Sequence, residues 1–199
     1  MFLNPQNSSQ NVTITQLFNG HYDVAGNYLG IASLHNVEYK QRLISLFYDN
    51  ITSYSRSPDA VVLNSGLHDG LYNYPYLTNF SDTATSTASF WDSVIALSAN
   101  KEKKKPIIVY RTTVALAGFV RGSNSNPQKM DIYNRVMVDA FLHRFPEARV
   151  VDSFDMTFPF HYDNNYSDGG HYGRPGGGRH YFVDFMLVHT ILNAICSLL

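Results

Sequence analysis

Ala60-Val61-Val62-Leu63-Asn64-Ser65-Gly66 places four apolar residues, two of them β-branched, between a Ser57-Pro58-Asp59 turn signal and a polar stop. The run is too short for a helix, and its branched side chains suit a pleated surface, so it reads as a buried strand. The pattern returns at Pro106 to Tyr110, which stops at Arg111-Thr112-Thr113, and at Ala148-Arg149-Val150-Val151-Asp152. Helical spacing fills the intervals. Leu43, Ile44, Phe47 and Tyr48 recur within Glu38 to Tyr48. Ser81 or Asp82 caps a helix running to about Ala99, with Phe90, Trp91, Val94, Ile95 and Leu97 facing inward. Asn126-Pro127 is a cap followed by proline in the first helical position, ahead of Met130, Tyr133, Met137, Ala140, Phe141 and Phe145. Pro146 stops that helix. Phe182 to Leu199 reads as a buried helix, with His189 as a core histidine. Residues 1–11 read as a loose terminus, Val12 to Phe18 and Tyr28 to Leu34 as strands, and the aromatic-rich stretch after Asp152 as loop. Alternating strands and helices of this kind predict one domain over residues 1–199, an α/β three-layer sandwich around a parallel sheet.

Composition narrows the function. Fifteen Lys plus Arg against sixteen Asp plus Glu leave a net charge of −1, without the basic excess of a nucleic-acid binder. Lys101-Glu102-Lys103-Lys104-Lys105 reads as a solvated loop. Cys196 is the single cysteine, so neither an intrachain disulfide nor a Cys-based metal site is expected. His161, His171 and His180 fit no standard metal spacing, and no metal is expected. Arg174-Pro175-Gly176-Gly177-Gly178-Arg179 lacks the Lys-Ser/Thr that completes a phosphate cradle, and no cofactor is expected. Asp184, His189 and Asn193 interrupt the most apolar segment, so no membrane span is expected. Met1-Phe2-Leu3 runs into Asn4-Pro5 without the apolar core of a signal peptide. Asn-x-Ser/Thr acceptors at Asn7, Asn11, Asn50, Asn79 and Asn165 point mildly to a luminal protein.

Chemistry concentrates in Ser167-Asp168-Gly169-Gly170-His171-Tyr172-Gly173. Asp168 and His171 lie three apart in a loop whose glycines permit a tight turn. A carboxylate can hold an imidazole in one tautomer and stabilise its cation, so His171 can move a proton to and from a hydroxyl nucleophile. In a parallel sheet the loops after the strands gather at one edge. Asn64-Ser65-Gly66, Arg111-Thr112-Thr113 and the loop holding Asp168 and His171 are therefore expected to converge there. Arg111 could hold a sugar hydroxyl or a carboxylate.

Val61-Val62-Leu63-Asn64-Ser65-Gly66-Leu67-His68-Asp69, Val109-Tyr110-Arg111-Thr112-Thr113 and Asp168-Gly169-Gly170-His171-Tyr172, in that order, resemble the later blocks of SGNH-type (GDSL-like) hydrolases. The likeness is to the PC-esterase branch, which includes polysaccharide O-acetyltransferases and esterases, and it covers roughly residues 60 to 199. It implies a flavodoxin-like α/β/α fold, a Ser nucleophile, His171 as general base and Asp168 as its orienting acid. It implies an oxyanion site drawn from Asn64, Gly66 and His68, with Gly30 standing for the second-block glycine. The family's block reads Gly-x-Asn-Asp where this chain reads Gly66-Leu67-His68-Asp69, so either His68 or Asn64 takes the Asn role. Acyl-ester chemistry on a glycan, in the secretory pathway, is the implied function. The family's opening Gly-Asp-Ser is missing, and Ser33, Ser8, Ser9 and Ser65 fit its position poorly. The expectation is an N-terminally incomplete domain without its first strand, or a member without its nucleophile that binds a glycan or a partner.

Overall fold

The computed structural model describes residues 2–3, 11–12, 14, 16, 30–48, 58–69, 77–102, 105–116, 126–163, 165–167, 169–172 and 181–196. Two short strands, β1 (Phe2–Leu3) and β2 (Asn11–Val12), pair antiparallel within the stretch read as loose. Of the strand expected at Val12 to Phe18, only Val12 is assigned to a strand. Helix α1 spans Val37–Tyr48, and Asn36 accepts from Tyr39 N at 3.1 Å at its start. Strand β3 (Ala60–Leu63), helix α2 (Leu77–Glu102), strand β4 (Ile107–Arg111), helix α3 (Pro127–Arg144) and strand β5 (Arg149–Val151) follow. A short helix α4 (Ser153–Thr157), a 3-10 turn at Phe158–Phe160 and helix α5 (Tyr181–Cys196) complete the order.

The three short apolar runs form one parallel sheet in the order β3-β4-β5, with Leu63 opposite Tyr110 and Arg111 opposite Val151. This is a mixed α/β fold. Leu63, Ile108 and Tyr110 pack into one core with Phe80, Ala88, Trp91 and Val94 of α2 and Met130, Met137 and Phe141 of α3. Rings join the helices to each other and to the sheet: Phe80 of α2 stacks on Tyr133 of α3 at 4.1 Å, and Tyr110 of β4 on Phe141 of α3 at 4.6 Å. Burying each such ring contributes about 1.5–3 kcal/mol. A second cluster joins Val114, Tyr172, Val183 and Leu187.

Several expectations fail for physical reasons. Tyr28 to Leu34 was expected as a strand; Gly30–His35 is a 3-10 helix instead. Gly30 has φ of +56°, which breaks an extended run, and the Ile31 amide is taken by the Asp69 carboxylate at 2.8 Å rather than by a neighbouring strand. Helix α2 begins at Leu77, ahead of Ser81 and Asp82. Thr83, Thr85, Ser86, Thr87 and Ser93 each donate their hydroxyls to the carbonyl four residues back, so a Ser/Thr-rich run sits inside a helix. Val62 is 40% exposed although its run reads as buried throughout, because β3 is an edge strand among the described residues. Helix α5 buries Val183 and Leu187 but leaves Phe182, Phe185, Val188, His189 and Leu192 exposed. An apolar helix buries only the stripe that meets a neighbour, so His189 is not a core histidine. Helix α4 lies where loop was expected. Asp152 caps it, accepting from Phe154 N and Asp155 N at 3.1 and 3.2 Å. Among the described residues no helix is long and apolar enough to cross a membrane.

Candidate active site

Parallel pairing brings the carboxyl ends of β3 and β4 side by side, and their first polar residues meet. Asn64 Nδ2 donates to the Arg111 carbonyl at 2.8 Å, and Arg111 Nη2 donates back to Asn64 Oδ1 at 3.0 Å. The exchange fixes the Asn64 amide and commits one of its two N–H groups, leaving the second as the donor an oxyanion could use. Burial pulls the Arg111 pKa down, yet a guanidinium keeps its charge at any physiological pH. Arg111 thus presents a fixed cation at this edge.

Beyond Arg111 the chain turns through Thr112–Leu116, a buried stretch whose backbone groups are met by side chains from three elements. Asn134 of α3 accepts from Thr113 N at 2.8 Å and donates to Thr113 O at 2.9 Å. Thr112 Oγ1 donates to Asp152 Oδ1 at 3.0 Å and accepts from Phe154 N at 3.0 Å. Thr157 Oγ1 accepts from Ala115 N at 2.9 Å. On this frame sits the loop read as catalytic. Ser167 and Tyr172 form an antiparallel bridge, and Gly169 turns between them with φ of +108°. Tyr172 OH donates to Ala115 O at 2.8 Å and lies 3.2 Å from Thr157 O. His171, the neighbour of Tyr172, is exposed. Asp168 lies outside the described residues.

On the β3 side, Gly66 turns with φ of +119°, its α-carbon facing Thr113 and Phe80. Leu67, His68 and Asp69 follow in a helical turn. Burial, and then the charge on His171, lower the pKa of His68, so the two imidazoles are close enough to sense each other. Asp69 is 1% exposed and holds Ile31 N, and burial pushes its pKa up to about 7. Gly30 packs directly on that carboxylate.

The structure therefore joins Asn64 to Arg111, Gly30 to Asp69, and His68 electrostatically to His171. Three residues central to this framework are absent from the site read in the sequence. Asp69 stood within the quoted block without a role, Asn134 is a polar residue on the otherwise apolar face of α3, and the buried hydroxyl of Tyr172 gives no local sequence signal. His161 is buried, it stacks on Phe158 at 4.2 Å, and its Nδ1 meets the Phe158 carbonyl. Asn79 and Asn165 are exposed, Asn7 and Asn50 lie outside the described residues, and Asn11 is in β2. No protein-family model matches the chain, and no curated protein matches it.

Proposed function

We propose that this chain carries the acid–base and substrate-holding half of an acyl-ester site, acting on O-acylated, most simply O-acetylated, glycans. His171 is the general base and Asp168 its orienting acid. Asn64, Gly66 and Gly30 face the developing oxyanion, His68 flanks His171, and Arg111 holds the acceptor. The observation that supports the reading is the hydrogen bond from Tyr172 OH to Ala115 O, which ties the residue after His171 to the chain leaving β4 beyond Arg111, itself exchanging hydrogen bonds with Asn64. A positioned base contributes typically ~10²–10⁴-fold to such a reaction, and one oxyanion donor about 3–4 kcal/mol.

A three-layer α/β/α arrangement, flavodoxin-like in order, fits this reading. Leu63, Ile108 and Tyr110 share the core of α2 and α3, while Val109, which alternates with them, is 0% exposed. Arg149, opposite Val109 in register, reaches the Ala194 carbonyl of α5 at 2.9 Å. A strand bearing the Ser nucleophile would pair along β3, an edge strand among the described residues. The exposed acceptors Asn79 and Asn165 suit a secretory setting.

The test is hydrolysis of p-nitrophenyl acetate by the chain alone and with a strand–Gly-Asp-Ser segment added ahead of Met1. The extended form is expected to exceed its His171→Ala variant by at least ~100-fold; equal rates reject the enzyme reading. A second reading, a glycan-binding domain without catalysis, draws on the missing Gly-Asp-Ser and on exposed aromatics such as Tyr162, 74% exposed. Calorimetric titration with acetylated and plain oligosaccharides tests it, and absence of heat with either counts against it.

A further inference from the structure

We propose that Asp69 is a positioning residue of this site: its carboxylate fixes the Gly30–Ile31 turn against the loop that carries His68, and so sets where the Gly30 backbone stands. The role given to Gly30 rests on the acyl-ester reading; the contact itself does not.

The geometry is specific. Asp69 Oδ1 accepts from Ile31 N at 2.8 Å across 38 residues of chain. A Cβ built on Gly30 would lie 2.5 Å from Oδ1 and 2.6 Å from both Cγ and Oδ2 of Asp69. All three carboxyl atoms thus press on the bare α-carbon of one glycine, which also holds φ of +56°. Ser33 Oγ donates to the Gly30 carbonyl, and Ile31 is buried, so the turn is held from both sides. His68 is the adjacent residue on the Asp69 loop, which makes any shift of this contact a shift of His68 relative to Gly30.

The contact is also electrically active. Three backbone amides, those of Ile31, Gly66 and Asp69 itself, favour the carboxylate, while burial opposes it more strongly and pushes the pKa up to about 7. Burial first, and then the Asp69 charge, raise the phenol pKa values of Tyr110 of β4 and Tyr133 of α3. His68, on the same turn, is the nearest imidazole in sequence. Near neutrality the Ile31 amide therefore meets two forms of Asp69, and the ionised form is the stronger acceptor.

The test uses the whole chain, 15N-labelled, followed by NMR from pH 5 to 9 as wild type and as Asp69→Asn. In the wild type the Ile31 amide is expected to move downfield with a midpoint near 7, set by Asp69. Asp69→Asn keeps an acceptor of the same shape, so the fold is retained while the Ile31 titration disappears and the His68 midpoint moves. A purely structural acceptor would leave the His68 midpoint where it was, and that result, or an Ile31 amide indifferent to pH in the wild type, overturns the proposal. Adding an O-acetylated oligosaccharide to the wild type is expected to shift the Gly30 and His171 resonances. If they stay still while Ile31 titrates, the acyl-ester reading fails, and the function assigned to Gly30 falls with it.

Discussion

Tyr172 donates its hydroxyl to the carbonyl of Ala115 at 2.8 Å, across 57 residues of chain, and the same oxygen stands 3.2 Å from the Thr157 carbonyl. One buried phenol thereby joins the His171 loop, the exit of β4 and the end of α4.

Tyr172→Phe keeps the ring in its cluster and removes the donor. Unfolding in urea should show a loss of about 1–3 kcal/mol, since the buried Ala115 carbonyl loses its donor. Amide exchange at Gly169 to His171 should accelerate more than exchange in β4. Equal acceleration at both places would mean that the hydroxyl anchors the whole fold and not this loop.

Asn134→Ala should cost about 2–4 kcal/mol, because the Thr113 N–H and C=O, bonded at 2.8 and 2.9 Å, are left in a buried stretch. Denaturant melts measure this. A loss under about 0.5 kcal/mol would mean that water replaces the amide.

Gly30 and Gly170 offer a contrast. A Cβ at Gly30 meets the Asp69 carboxyl group at 2.5 Å on a backbone with φ of +56°, whereas one at Gly170 meets nothing within 4 Å. Gly30→Ala should lose about 2 kcal/mol or more, from the left-handed backbone and the clash together. Gly170→Ala should stay within about 0.5 kcal/mol of wild type. Thermal melts of the two variants side by side decide it.

Stability should depend on pH through Asp69. Its folded pKa of about 7 lies above the ordinary carboxylate value, so folding favours the protonated form. That contribution is complete below the unfolded pKa near 4 and is lost as pH rises to about 7, a change of up to about 4 kcal/mol. Half-buried His68 acts with the opposite sign: its lowered pKa contributes stability at neutral pH that falls away in acid. Subtracting the Asp69→Asn profile isolates Asp69, and the difference should decline between pH 4 and 7. A flat difference would show that relaxation or water relieves the buried charge.

Local chemistry alone specified much of this chain. The strands at Ala60–Leu63, Ile107–Arg111 and Arg149–Val151 were legible because a short branched apolar run between turn signals has few other uses. Helix α3 was legible to its first residue, because Asn126 accepts from Lys129 N at 2.7 Å with Pro127 behind it, and both partners sit within one turn. The approach of Asn64 to Arg111 followed from parallel pairing. What the tertiary structure decided depends on distant partners. Tyr28 to Leu34 reads as a strand until Asp69 takes the Ile31 amide, Val62 reads as buried until β3 lies at an edge among the described residues, and α5 reads as a buried helix until Phe185, Val188 and Leu192 stand exposed. A residue's own preferences differ by a few tenths of a kcal/mol to about one, while a buried hydrogen bond or a lost neighbour is worth about one to three. Sequence therefore determined the elements whose signals lie within a turn or two, and the fold determined the turn, the edge and the site, where contacts across the chain outweigh local preference.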